Sequence, residues 1–181
     1  MELDSLRTLP EADQQVFLLG RIAYETSRVD IGLRFVNGAL RGENDIGAYL
    51  DAPDRFSDNV KRCVELAKQN PSLSEAGRAA VLNAVAAADA VYRRRNRYIH
   101  DFMRDSMLSN GWELARLKRK AGEEQESVAV SFDEMVELIV ELVAVTFRLR
   151  GCGLYVLNGG WEDMALGTVR GNWDGTATSS R

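Results

Sequence analysis

Apolar residues recur at three- and four-residue steps along most of this chain, the pattern of amphipathic helices packed into a bundle. The first run is Val16, Leu19, Ala23, Thr26, Val29, Leu33, Val36 and Leu40. It predicts a helix from about Pro10 to Leu40. Pro10 suits the first turn, and Glu11 and Asp13 suit the positive end of the helix dipole. Gly20, Gly32 and Gly38 weaken that helix and leave a kink or an early end open. Arg41 to Asp54 is rich in Gly, Asn, Asp and Pro and reads as a loop with room for one short helical turn. A second helix is expected over Arg55 to Gln69, with Phe56, Val60, Cys63 or Val64, and Ala67 inward, closed by Asn70-Pro71-Ser72.

A third helix starts after Ser74, a good N-cap, and places Val81, Val85, Ala88, Tyr92, Arg95 and Ile99 on one face. Beyond it the period changes. Trp112 to Leu117 and Ser127 to Phe132 alternate around a charged, Gly-containing stretch, so a small β-hairpin is predicted at about 111–131. Ser131 with Glu134 forms a capping box that opens a fourth helix. Its inward stripe is Met135, Leu138, Leu142, Val145 and Leu149, and it ends around Gly151–Gly153 or continues to Leu157. The expected fold is therefore all-α, a bundle of four to five helices with a hairpin inserted before the last long helix. Residues 1–158 form the helical domain, and 159–181 form a tail whose last ten or so residues read as disordered. Trp161 and Trp173 are unusual for such a tail and suit packing on the domain or on a partner.

Composition narrows the function. A chain of 181 residues with 45% hydrophobic content suits one core. No apolar run reaches the roughly 18–20 residues of a membrane span, and Met1-Glu2-Leu3-Asp4 does not open a secretory signal, so a cytoplasmic location is expected. Two separated cysteines and one histidine cannot supply the usual ligand set of a structural zinc site, so no metal and no cofactor is expected. The net charge of -4 disfavours a broad nucleic-acid-binding face. Of the 23 basic residues, however, 19 are Arg, and Arg93, Arg94, Arg95 and Arg97 cluster, with Arg104 close behind. Any contact with a polyanion should be focused there.

The run interrupts an apolar stripe, which marks it as the place to look for function. Asn96 and His100 are one helical turn apart on one face, and Arg95 lies one step round. If the helix holds to His100, the three can converge on a group the size of a phosphate. His can move protons near neutrality, and Arg can steady charge building on phosphate oxygens. Asn can hold the His tautomer or a ribose hydroxyl. The plainer alternative is a structural histidine beside a solvated arginine face.

At these residues the chain resembles the HEPN superfamily. That family carries an Arg, a polar residue, three further residues and a His, late on the third helix of a four- or five-helix bundle. Arg95, Asn96 and His100 match that pattern, and the likeness of helix order extends over about Pro10 to Leu157. The resemblance implies a metal-independent endoribonuclease, of toxin–antitoxin or antiviral-defence type, that leaves a 2′,3′-cyclic phosphate. It also implies a homodimer with two motifs facing each other, and an antitoxin or other regulatory protein as a further partner. On this reading Arg95, Asn96 and His100 are catalytic. Arg93, Arg94, Arg97, Tyr98 and Arg104 are candidates to contact RNA, with Tyr98 equally suited to packing against a neighbouring subunit. In one toxin branch a Tyr two positions after the His is modified by a partner enzyme; Phe102 stands there in this chain, which puts that form of control in doubt. The alternatives are a non-catalytic HEPN module that binds RNA or a partner protein, and an all-α scaffold whose arginines make internal ion pairs.

Overall fold

The computed structural model describes residues 3–43, 51–100, 102–105, 112–115 and 127–158. Among them are five helices and three short strands. Helix α1 covers Leu3–Arg7, α2 Glu11–Leu40, α3 Phe56–Gln69, α4 Glu75–His100 and α5 Phe132–Leu157. Strands β1 (Phe102–Asp105), β2 (Trp112–Ala115) and β3 (Ser127–Val130) lie between α4 and α5.

The fold is the expected helical bundle, with a larger β insertion. The predicted hairpin is the β2–β3 pair, with Trp112 opposite Val130 and Leu114 opposite Val128. A further strand, β1, joins it, with Phe102 opposite Ala115 and Asp105 opposite Trp112. The sheet is therefore an antiparallel meander in the order β1-β2-β3. No turn residue announces β1 in the sequence, because α4 runs almost directly into it. Trp112, Leu114 and Val130 are buried and join the helical core, which gives this small sheet the support it would lack alone.

Two of the helices begin at side-chain caps. Ser131 Oγ accepts from Glu134 N at 3.2 Å while a Glu134 carboxylate oxygen accepts from Ser131 N at 2.7 Å, so the capping box forms as read. Ser74 Oγ accepts from Gly77 N at 3.1 Å and caps α4. The short helix α1 was not expected. It is tied to the bundle by Arg7, which pairs with Asp133 and lies 4.4 Å over the Phe132 ring.

Helix α2 runs unbroken for 30 residues through all three glycines. Its buried face is not quite the predicted one. Val16 is 72% exposed, whereas Leu18, Ile22 and Glu25 lie inside with Val29, Leu33 and Val36. The first half of α2 is thus rotated relative to the 16-19-23 stripe. Glu25 is fully buried, held by Arg21 at 2.7 Å and Arg28 at 2.9 Å. A carboxylate is tolerated inside only with such partners.

Contacts fix the directions of the helices. Arg7 with Asp133 at one end, and Gly153 against the Phe35 ring at the other, show that α2 and α5 run parallel. Ala80 lies beside Cys152 and Arg94 beside Glu141, so α4 runs antiparallel to α5. The predicted α5 stripe, Met135 through Leu149, is buried throughout. Helix α5 passes Gly151 and Gly153 and continues to Leu157, the longer of the two expected ends. Gly153 is needed there, because a Cβ would come 2.5 Å from the Phe35 ring. No helix among the described residues is long and apolar enough to cross a membrane. The tail calls, with Trp161 and Trp173, lie outside the described residues, as does the middle of the loop after α2.

Candidate functional site

Helix α4 holds to His100, the condition on which convergence of the motif depends. On this helix Asn96 and His100 are about 40° apart and Arg95 and His100 about 140° apart, at about 100° per residue. The side chain of His100 and the whole of Asp101 lie outside the described residues.

Arg95 is held in a defined pose. Its Nη1 donates to Asn96 Oδ1 at 2.9 Å, and its guanidinium carbon lies 5.1 Å from the centre of the Tyr92 ring. Tyr92 in turn stacks on Phe56, with centroids 3.7 Å apart and planes 6° from parallel. The arginine therefore rests on an aromatic platform that joins α4 to the start of α3. This support was missed in the sequence, although the i, i+3 spacing of Tyr92 and Arg95 is its signal. Asn96 accepts from Arg95 through its side-chain carbonyl oxygen. Through that bond it helps to aim the guanidinium.

The four arginines of the run divide into two kinds. Arg94 donates from Nη1 to both carboxylate oxygens of Glu141 at 2.8 Å, with Glu137 at 3.8 Å. It clamps α4 to α5. Arg93 pairs with Asp89 at 2.6 Å on its own helix, in a largely exposed position where such a pair is weak. Arg95 and Arg97 have no carboxylate partner among the described residues. Arg97 is exposed. Arg95 is half-buried, and its Nε is buried without a hydrogen-bond partner there. A guanidinium taken partly out of water with one donor unsatisfied is an incomplete arrangement.

Two of the proposed RNA contacts do not fit their predicted roles. Tyr98 is 9% exposed and belongs to the core, so it does not offer its ring to a base. Burial pushes its phenol up from 10.0, opposed by the nearby Arg94 charge. The last turn of α4 is rotated relative to the predicted stripe, with Tyr98 inward and Ile99 outward. Arg94 is committed to the α4–α5 clamp. Arg104 lies on β1, opposite Glu113 in the strand register; its side chain lies outside the described residues.

No group of His, Cys, Asp and Glu able to hold a metal occurs among the described residues. Cys63 and Cys152 are free and buried, and burial raises their thiols to about 12 and about 11. Neither is a nucleophile at neutral pH. No known family model matches the chain, and no curated protein or solved structure matches it either.

Proposed function

We propose that this chain is a metal-independent endoribonuclease of toxin or defence type, related to the HEPN superfamily, with its site at the end of α4. The observation that carries the reading is Arg95: half-buried, aimed by Asn96 and Tyr92, without a carboxylate among the described residues, and within two turns of His100. A guanidinium in that state fits the phosphate of an RNA backbone.

In the proposed reaction a base removes the proton of a ribose 2′-OH. The 2′ oxygen forms a bond to the adjacent phosphorus, and the bond to the 5′ oxygen breaks. An acid protonates that leaving oxygen. The products are a 2′,3′-cyclic phosphate and a free 5′-OH. Arg95 stabilises the extra negative charge on the phosphate oxygens as the new bond forms. His100 acts as base or acid. A second copy of the chain supplies the complementary histidine, since each chain has one His and a two-fold axis brings two. Arg97 guides the backbone, and Arg93 joins it by exchanging its exposed pair with Asp89 for a phosphate. The site calls for no resident cofactor. A dedicated regulatory protein, such as an antitoxin, would restrain it.

The test is RNA cleavage by pure protein in EDTA, beside His100→Ala and Arg95→Ala. Both variants should lose on the order of 100-fold or more in rate. Wild-type protein that leaves several RNAs intact, as the variants do, would sink the nuclease reading. RNA binding that persists in that case would point to a non-catalytic module.

A further inference from the structure

Helix α3 opens on Arg55, which makes no capping hydrogen bond. Its first residue, Phe56, is buried and ties this end of the helix to Tyr92 of α4. The manner of that contact is unusual. Neutral rings attract best when offset or edge-on, with centroids about 4.5–7 Å apart, because their negative faces repel. Phe56 and Tyr92 lie 6° from parallel with centroids 3.7 Å apart, nearly face to face. An offset pair would fill a core as well. The Arg95 guanidinium over the Tyr92 ring supplies a reason for the stack. A cation is attracted by the negative face of a ring, and a second parallel ring adds its quadrupole to the first. Two stacked rings make a stronger and more sharply directed seat for the cation than Tyr92 alone.

Arg95 depends on such a seat. It has no carboxylate partner among the described residues, and its Nε is buried without a hydrogen-bond partner there. Asn96 Oδ1 and the Tyr92 ring are the contacts that hold it. Both belong to α4 and move with Arg95 itself. Phe56 is the part of this support that comes from another helix. It therefore relates the guanidinium to the rest of the bundle, which a contact within α4 does not do.

We infer that Phe56 is a positioning residue of the site: through the Tyr92 ring it fixes where the Arg95 guanidinium sits. The inference rests on the nuclease reading for the reaction that Arg95 serves. Phe56 is 7% exposed and acts only through Tyr92, by limiting how far that ring can tilt. Leucine at position 56 keeps apolar volume but removes the parallel face, so the Tyr92 ring and the guanidinium over it lose their fixed direction. A group misplaced by about 1 Å from the reacting centre can lose about 100-fold of its effect on rate. The loss falls on the transition state, where charge builds on the phosphate oxygens, more than on binding of the substrate.

The test compares the full chain with Phe56→Leu and Phe56→Tyr, and repeats Phe56→Leu in an Arg95→Ala background. Cleavage of labelled RNA in EDTA gives kcat and KM. Phe56→Leu should lower kcat by roughly 10- to 100-fold and leave KM within about 3-fold. Phe56→Tyr, which keeps a ring, should recover most of that loss. Beside Arg95→Ala, Phe56→Leu should lower the rate little further, because the group it positions is gone. An equal fall in both backgrounds marks a residue that serves only the fold and overturns the inference. Tyr92→Leu removes the same seat from α4 and takes the place of Phe56→Leu if that variant does not fold. A second readout needs no cleavage. The NMR signal of the Arg95 Nε–H, assigned by its loss in Arg95→Lys, should exchange slowly with water in wild type. In Phe56→Leu it should exchange about 10-fold faster or more. Unchanged exchange overturns the inference. Wild type that cuts no RNA while the exchange quickens would sink the nuclease reading instead, and leave Phe56 as the residue that seats Arg95.

Discussion

Replacing Arg95 by alanine separates a phosphate-binding arginine from a structural one. The substitution removes the hydrogen bond to Asn96, a net contribution of about 0.5–1.5 kcal/mol. It also removes the contact with the Tyr92 ring at 5.1 Å, which contributes about 0.5–1 kcal/mol. Against these losses, the variant no longer buries an unpartnered Nε, a burden of about 1–3 kcal/mol. The terms nearly cancel and leave a net change of about 1 kcal/mol or less in either direction, or a shift of roughly 2–4 °C in Tm for a chain of this size. RNA cleavage should meanwhile fall by about 100- to 1,000-fold, as when a transition-state donor is lost. Arg94→Ala is the control. It breaks the bond to both oxygens of Glu141, which holds α4 on α5. It should lower stability by about 1 kcal/mol and leave cleavage within a few-fold of wild type. The assay pairs a thermal melt with cleavage of a labelled RNA in EDTA. A fall of more than about 8 °C in Arg95→Ala would show that the guanidinium is a structural ion and refute the reasoning. Unchanged cleavage would refute it from the other side.

The close approach of α5 to α2 gives a second prediction. Gly153→Ala should destabilise by about 1–2 kcal/mol in urea unfolding, because its Cβ would meet the Phe35 ring at 2.5 Å and overpacking outweighs the gain in helix propensity. Gly20→Ala, which meets nothing within 4 Å, should stabilise by about 0.5–1 kcal/mol. If the two substitutions shift the urea midpoint alike, the packing of α5 on α2 is wrong. The buried thiols give the third. Both are raised from the ordinary 9.0, to about 12 at Cys63 and about 11 at Cys152, by desolvation. The folded state holds protons that the unfolded state releases, so this contribution to stability is complete below pH 9 and is lost as the pH climbs towards 12. Urea midpoints should fall over that range more steeply in wild type than in Cys63→Ala. In native protein at pH 8 both thiols should resist a thiol reagent until denaturant is added; rapid native labelling would contradict their burial.

Much of the bundle was legible from local pattern. The capping box at Ser131, the cap at Ser74 and the stripe from Met135 to Leu149 follow from short-range spacing, and a helix needs little more than that to declare itself. Strand β1 was not legible. A four-residue strand has almost no period of its own, and pairing with β2 is what makes it one. The rotation of α2 was equally hidden. Two apolar stripes compete along its first half, and packing against the rest of the bundle puts Leu18 and Ile22 inside and leaves Val16 exposed.

The candidate site divides in the same way. The sequence alone nominated Arg95, Asn96 and His100, by their spacing on one helix. Only the tertiary structure decided which arginines remain available. Glu141 lies 47 residues from Arg94 in the chain, and its packing against α4 turns Arg94 into a clamp. The start of α3 brings Phe56 beneath Tyr92 and so builds the platform on which Arg95 rests. Charge pairing and burial arise between elements distant in sequence, so a local pattern can nominate a reactive side chain, but the folded chain determines whether that side chain already has a partner.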